Sequence, residues 1–332
     1  MKQRKKTLIL LAILTSANLV SGQQLAQFSQ YLHNPILLNP ATSGVNNNVN
    51  LKLSYRDQWT GFTDAPKTSY FSIDGTIGGG TKGSSLRSSR LGFTEVKSGR
   101  KLLSHGIGGY IVSDTYGAFT NTAGYVSYAL HLNITEEIRM SLGLGAGISA
   151  WQMNAKKVEV ADPNDNTYDY LVSMGLRKSF FDMNSGIWVF SDKFYIGYSS
   201  EQLLQNHIRD IDIPAETKVN IHHFVTGGYK FYLKNDLNIT PSLMLKYMSP
   251  APLTLDFNIK VNFKEQMWGG LSYRTNDALV IIAGYNIKDK INIGYSYDVT
   301  LSELKQYSTG SHEILLGYKV FTEARKSSVS FL

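Results

Sequence analysis

Residues Leu253 to Phe263 read Leu-Thr-Leu-Asp-Phe-Asn-Ile-Lys-Val-Asn-Phe, apolar at every odd position and polar or charged at every even one. Successive side chains of a β-strand point to opposite faces, so the stretch predicts a two-faced strand with Asp256, Asn258, Lys260 and Asn262 on its polar side. Its length also suits a tilted strand that crosses a bilayer, which takes roughly 9 to 11 residues. The pattern recurs. Ile291, Ile293, Tyr295 and Tyr297 alternate with Asn292, Gly294, Ser296 and Asp298, and Ile314, Leu316 and Tyr318 alternate with Glu313, Leu315, Gly317 and Lys319. Near the start, Val49, Leu51, Leu53 and Tyr55 oppose Asn50, Lys52, Ser54 and Arg56.

Composition narrows the class. The chain has 332 residues, 20 of them tyrosine, and no cysteine, which removes disulfides, thiolate metal sites and cysteine nucleophiles from consideration. The net charge of +7 is concentrated at the start, in Lys2, Arg4, Lys5 and Lys6. A basic head, an apolar stretch from Leu8 to Val20 and the small residues Ser21 and Gly22 predict an export signal over residues 1–22, cleaved before Gln23. Beyond it, 29 basic residues face 26 acidic ones, too even a balance for a nucleic-acid partner. No apolar stretch beyond the signal is long enough for a transmembrane helix.

Counting alternating runs between turn signals predicts about fourteen strands across residues 47–332, with the sixth and seventh placed at 170–181 and 188–199. The expected fold is all-β: a transmembrane antiparallel β-barrel in which the apolar faces meet lipid. Leu255, Phe257, Ile259, Ile293 and Leu316 then face acyl chains, and Tyr55, Trp59, Tyr247, Trp268, Tyr295, Tyr297 and Tyr318 suit the interfacial girdles. The lumen receives Lys52, Arg56, Asp256, Lys260, Arg274, Asp298, Glu313 and Lys319, whose mixed signs favour cross-strand pairing over a selective ion pore. Residues 23–46 contain Pro35 and Pro40 and lack alternation, so they predict an apolar, plug-like segment on the barrel mouth or lumen, closing the periplasmic side. Residues 78–104 carry Lys82, Arg87, Arg90, Lys97, Arg100 and Lys101 against Glu95, as a solvated loop or a contact for an anionic polymer.

Enzymatic motifs fail on context. Gly143-Leu-Gly-Ala-Gly147 lies inside a strand, where close backbone packing explains it better than dinucleotide binding. Asp162 to Asn166 lacks the terminal Glu of a calcium loop. His222 and His223 point to opposite faces of one strand, and Ser311 beside His312 lacks the convergent geometry of a nucleophile and its base. No catalytic residue, cofactor or metal site is expected.

The run Phe-Ser-Gln-Tyr-Leu-His-Asn-Pro-Ile-Leu-Leu-Asn-Pro-Ala from Phe28 to Ala41, with Gln30, Tyr31, Asn34, Pro35, Asn39 and Pro40, resembles the opening of the PorP/SprF family. So does Tyr55-Arg-Asp-Gln-Trp-Thr-Gly-Phe62, with Tyr55, Arg56, Gln58, Trp59 and Gly61. Trp268 to Arg274, Gly294 to Asp298 and Gly310 to Tyr318 follow in the family's order. The resemblance implies an outer-membrane protein of the type IX secretion system, associated with gliding. It further implies that the barrel receives and anchors a secreted adhesin, or another protein with a type IX C-terminal domain, and touches secretion components such as a peptidoglycan-associated periplasmic protein. The competing expectation is a channel for small solutes.

Overall fold

A computed structural model describes residues 25–46, 48–77, 103–154, 157–158, 177–205 and 219–320. The export signal, most of the basic 78–104 segment and the Asp162 loop therefore lie outside the described residues. Strands β1 (Asn50–Asp57), β2 (Lys67–Ile77), β3 (Leu103–Tyr116), β4 (Phe119–Asn133), β5 (Arg139–Met153), β6 (Arg177–Phe190) and β7 (Phe194–Glu201) form the first half. The second half comprises β8 (His222–Tyr229), β9 (Phe231–Tyr232), β10 (Leu237–Tyr247), β11 (Thr254–Phe263), β12 (Met267–Arg274), β13 (Ala278–Ile287), β14 (Ile291–Thr300) and β15 (Ser311–Lys319). Both β8 and β9 bond to β10 and form one stave interrupted at Lys230, so the staves number fourteen. Each pairs antiparallel with its sequence neighbours, and β15 pairs with β1 to close the ring. Closure leaves no open sheet edge, the condition for a sheet in hydrocarbon.

Burial follows the predicted alternation. In β11, Phe257 and Ile259 are 49% and 54% exposed, whereas Asp256 is 2% exposed. Leu53, Phe71, Ile111, Leu271 and Ile314 continue the exposed apolar band around the ring. In a soluble protein that much exposed apolar surface would aggregate; here it is the lipid-facing surface. Tyr55, Tyr247, Tyr295 and Tyr318 stand on this outer face as expected, while Trp268 is buried and points inward. Its ring occupies the space that Gly284 and Gly294 leave open on the neighbouring staves.

The sixth and seventh strands differ from expectation: β6 runs to Phe190 and the turn falls at 191–193, not within 182–187. The Asp-Met-Asn-Ser-Gly run at 182–186 looks like a turn, but Asp182, Asn184 and Gly186 are the buried, inward positions of an uninterrupted strand. Three tight turns at one end each place two consecutive residues at positive φ: Asn235 and Asp236, Lys264 and Glu265, Lys288 and Asp289. That backbone matches the twist of two-residue hairpins. The strand ends that flank 58–66, 154–176, 202–221 and 301–310 lie at the other end, with the turns at 248–253 and 275–277.

Candidate functional site

The segment before β1 occupies the interior of the ring. Its prolines cannot join a ladder, and they start short 3-10 turns instead: Pro35–Leu37 and Pro40–Thr42 follow Tyr31–His33. Asn39 caps the third turn by accepting a hydrogen bond from the Ala41 amide at 2.9 Å. Gln30, Asn34 and Ala41 are fully buried. Wall residues from opposite sides of the barrel bond to this segment along its length.

At the long-loop end, Gln27 donates to Asp277 at 2.9 Å, and Gln58 donates to Gln27 at 3.3 Å. One turn deeper, Ser29 organises the charged belt. Its amide donates to Glu313 at 2.7 Å, its hydroxyl donates to Asp298 at 2.7 Å, and Arg56 Nη1 donates to that hydroxyl at 2.6 Å. Arg56 also pairs with Asp298 at 2.8 Å and lies 3.6 Å from Glu313. Arg274 meets Asp256 at 3.3 Å, Asp277 at 3.0 Å and Asp298 at 3.8 Å. Two guanidiniums thus hold four carboxylates contributed by three staves and one turn. A buried charge persists only when paired in this way.

Below the belt the segment's own polar groups meet the wall. Gln30 donates to the Glu313 carbonyl at 3.1 Å, Asn258 donates to the Tyr31 hydroxyl at 2.7 Å, and Asn34 donates to Ser72 at 2.9 Å. Phe28 packs edge-on against Tyr70 with ring centroids 5.4 Å apart. His33 stacks on Trp268 at 3.8 Å, Lys52 donates to the His33 carbonyl, and Lys260 lies 5.7 Å above the Trp268 ring. Burial, and then the nearby charges of Lys260, Lys52 and Lys319, hold the His33 imidazole well below its ordinary pKa.

Farther on, Asn39 donates to the carbonyls of Ile187 and Tyr198, on adjacent staves. His131 donates to the Ser43 carbonyl at 3.0 Å, and the Gly44 amide donates to Asp74 at 3.2 Å. The wall yields space where the backbone presses closest. A Cβ on Gly143 would stand 2.1 Å from the Ala41 nitrogen, and one on Gly106 would stand 1.9 Å from the Ser43 carbonyl oxygen. The glycine run that resembles a nucleotide loop is therefore, at Gly143, a groove for the segment.

The eight sequence-predicted lumen residues divide into two groups. Arg56, Asp256, Arg274, Asp298 and Glu313 come together in the belt, while Lys52, Lys260 and Lys319 stand toward the short-turn end around His33. In the first loop, Tyr55 faces outward and the Trp59 amide donates to Ser311 at 3.0 Å. The Thr60 amide bonds the Gly310 carbonyl, and Gly61, at φ +96°, turns the chain beside Tyr307. This motif fastens one mouth loop to another. Ser29, His33, Asp277 and the wall glycines escape single-strand reasoning, because only the segment passing beside them gives them a role. The segment also does more than close the end where β1 starts: it runs from the long-loop mouth down to that end.

Above the segment, toward the long loops, lies a cavity of about 440 Å³. Phe28, Tyr31 and Leu37 form part of its floor, and strands β3, β7, β8 and β10 contribute to its walls. Among the described residues no group of three or more His, Asp or Glu side chains is placed to hold a metal ion.

Two solved structures share the architecture. The Ralstonia pickettii toluene transporter TbuX is 10% identical with a TM-score of 0.50, over 87% of this chain and 93% of that one. The monoaromatic hydrocarbon channel CymD is 9% identical with a TM-score of 0.51, over 91% of this chain and 95% of that one. At such identity the likeness is one of fold. No curated protein matches the sequence. The family model described as type IX secretion system membrane protein PorP/SprF matches residues 20–318, in agreement with the motifs at Phe28–Ala41 and Tyr55–Phe62 and with the closed ring of staves. On that match, the chain belongs to the PorP/SprF family of type IX secretion system membrane proteins.

Proposed function

We propose that this barrel is an acceptor with an occupied lumen, holding a type IX-secreted surface protein at its long-loop mouth. As a family member the chain is a non-enzymatic, exported protein of the outer membrane with a role in type IX secretion, and the proposal concerns what it holds. The observation that supports it is the segment from Gln27 to Gly44. It is bonded to Asp277, Asp298 and Glu313 at one end and to Asp74 at the other, an arrangement that supports a plug role. A plugged barrel suits binding at a mouth better than flux through a lumen. Long loops face the outside in barrels of this kind, which directs the cavity toward material already secreted. The docked part is the secreted protein's C-terminal domain, such as that of a gliding adhesin. The short-turn end faces the periplasm, where a peptidoglycan-associated component is the proposed contact.

Affinity isolation of the full-length tagged barrel from native outer membranes tests this. The expected outcome is co-purification of one large secreted protein, lost when that protein's C-terminal domain is deleted. Recovery of the barrel with no secreted protein would sink the acceptor role.

A second reading, a channel for small apolar solutes, has its own support. The fold neighbours are named as a toluene transporter and a hydrocarbon channel, and the cavity falls in the size range of small-molecule sites. It requires the plug to move. Toluene entry into liposomes that carry the barrel would favour it over the acceptor reading.

A further inference from the structure

The cavity at the long-loop mouth holds three polar atoms that its fold leaves unused. Glu201, Gln202 and His222 all line it, and each is at least nine-tenths buried. Glu201 ends β7 and is the register partner of His222, which starts β8, so the two side chains share one face. Among the described residues, Glu201 Oε1, Gln202 Oε1 and His222 Nε2 have no hydrogen-bond partner. Their chemistry agrees. His222 Nδ1 faces the Asn220 carbonyl at 3.1 Å and must donate to it, which leaves Nε2 of the neutral ring as an acceptor. With Glu201 ionised, all three atoms are acceptors, and they line one cavity without a hydrogen-bond partner.

The remaining charges in the cavity sharpen this. Asp256 and Asp277 are held by Arg274, and Asp114 accepts from Thr68 at 2.6 Å. Lys246 lines the cavity too and its charge acts on Glu201 and His222, but it makes no hydrogen bond to the three unpartnered atoms. Phe224, Met244 and Met248 supply an apolar wall beside the acceptors. An ammonium offers three donors and a guanidinium five, each on an aliphatic stem that can lie along such a wall.

We propose that this cup binds the basic side chain, Lys or Arg, of an apolar polypeptide segment, with Glu201, Gln202 and His222 as its acceptors. The assignment deepens the acceptor reading and rests on it for the source of the polypeptide. It makes the mouth selective: a segment with a basic residue among apolar ones is retained, and its neutral counterpart is not.

Calorimetric titration of the full-length barrel in detergent micelles tests this, using two acetylated and amidated tripeptides, Leu-Lys-Leu and Leu-norleucine-Leu. The lysine peptide is expected to bind at least about tenfold more tightly, the scale of one charge-assisted hydrogen bond. Glu201→Gln should remove that advantage without altering the thermal unfolding of the barrel. Equal binding of the two peptides by the wild type overturns the proposal, and this comparison decides the matter even if the variant fails to fold. Unchanged lysine-peptide affinity in a folded Glu201→Gln barrel overturns it as well. Should the peptides bind equally while the secreted protein still co-purifies, the cup assignment falls and the acceptor role stands. Should the lysine peptide win while no secreted protein co-purifies, the cup stands as a basic-side-chain site and the acceptor role falls.

Discussion

Arg56 is 2% exposed in the wall of a membrane barrel, and its charge is tolerable only because Asp298, Glu313 and Ser29 surround it. Removing one member of such a group strands the others, which typically destabilises by about 3–5 kcal/mol. Arg56→Leu is therefore expected to destabilise the barrel by about that amount in urea titrations followed in micelles, because Glu313 and Asp298 lose their nearest cation. Arg274, at 3.8 Å from Asp298, compensates only in part. Wild-type stability in the variant would show that the belt does not brace the wall. Alternation alone placed Arg56, Asp256, Arg274, Asp298 and Glu313 on the lumen side. It could not say who pairs with whom, because Arg56 meets Asp298 only through ring closure and a stave two positions away. Trp268 shows the opposite failure. Its position near a strand end suggested the interface, yet the parity of β12 turns it inward onto His33.

At the scale of elements, the segment from Gln27 to Gly44 was legible as something that packs, since Pro35 and Pro40 bar a ladder and its side chains are too apolar to stay free. Its path was not. Direction depends on partners from most of the barrel, Asp277 at one end and Asp74 at the other, and no single stretch of sequence encodes that set. The strands with clean alternation, such as β11 and β14, were readable almost to their ends. The misplaced turn in β6 came from small and polar residues that serve the lumen, a face whose composition imitates a loop. His33 gives the segment a pH dependence of known sign. Its pKa in the folded chain is depressed, so the released segment takes up a proton that the docked segment refuses. Docking is thus at full strength above the ordinary histidine pKa of about 6.5 and weakens as pH falls below it. Protease access to the segment should rise between about pH 7 and pH 5 in the wild type. His33→Gln, which cannot charge, should flatten that rise, and an equal rise in the variant would assign the acid response to other groups.

For the whole molecule, fourteen staves enclose a lumen whose contents decide what the barrel can do. An empty ring of this size would conduct. A ring crossed by a bonded segment, with a cavity on the long-loop side, is suited to holding something at its mouth. Family membership and fold leave both possibilities open, so the central claim rests on the state of the lumen. Planar-bilayer recording from the purified full-length barrel measures that state directly. The wild type is predicted to show no stepwise ion conductance. The Gly106→Val and Gly143→Val double variant, which fills the grooves against Ser43 and Ala41, is predicted to conduct once its segment is displaced. Steady conductance steps from the wild-type barrel, with its N-terminal segment still protected from protease, would contradict the account.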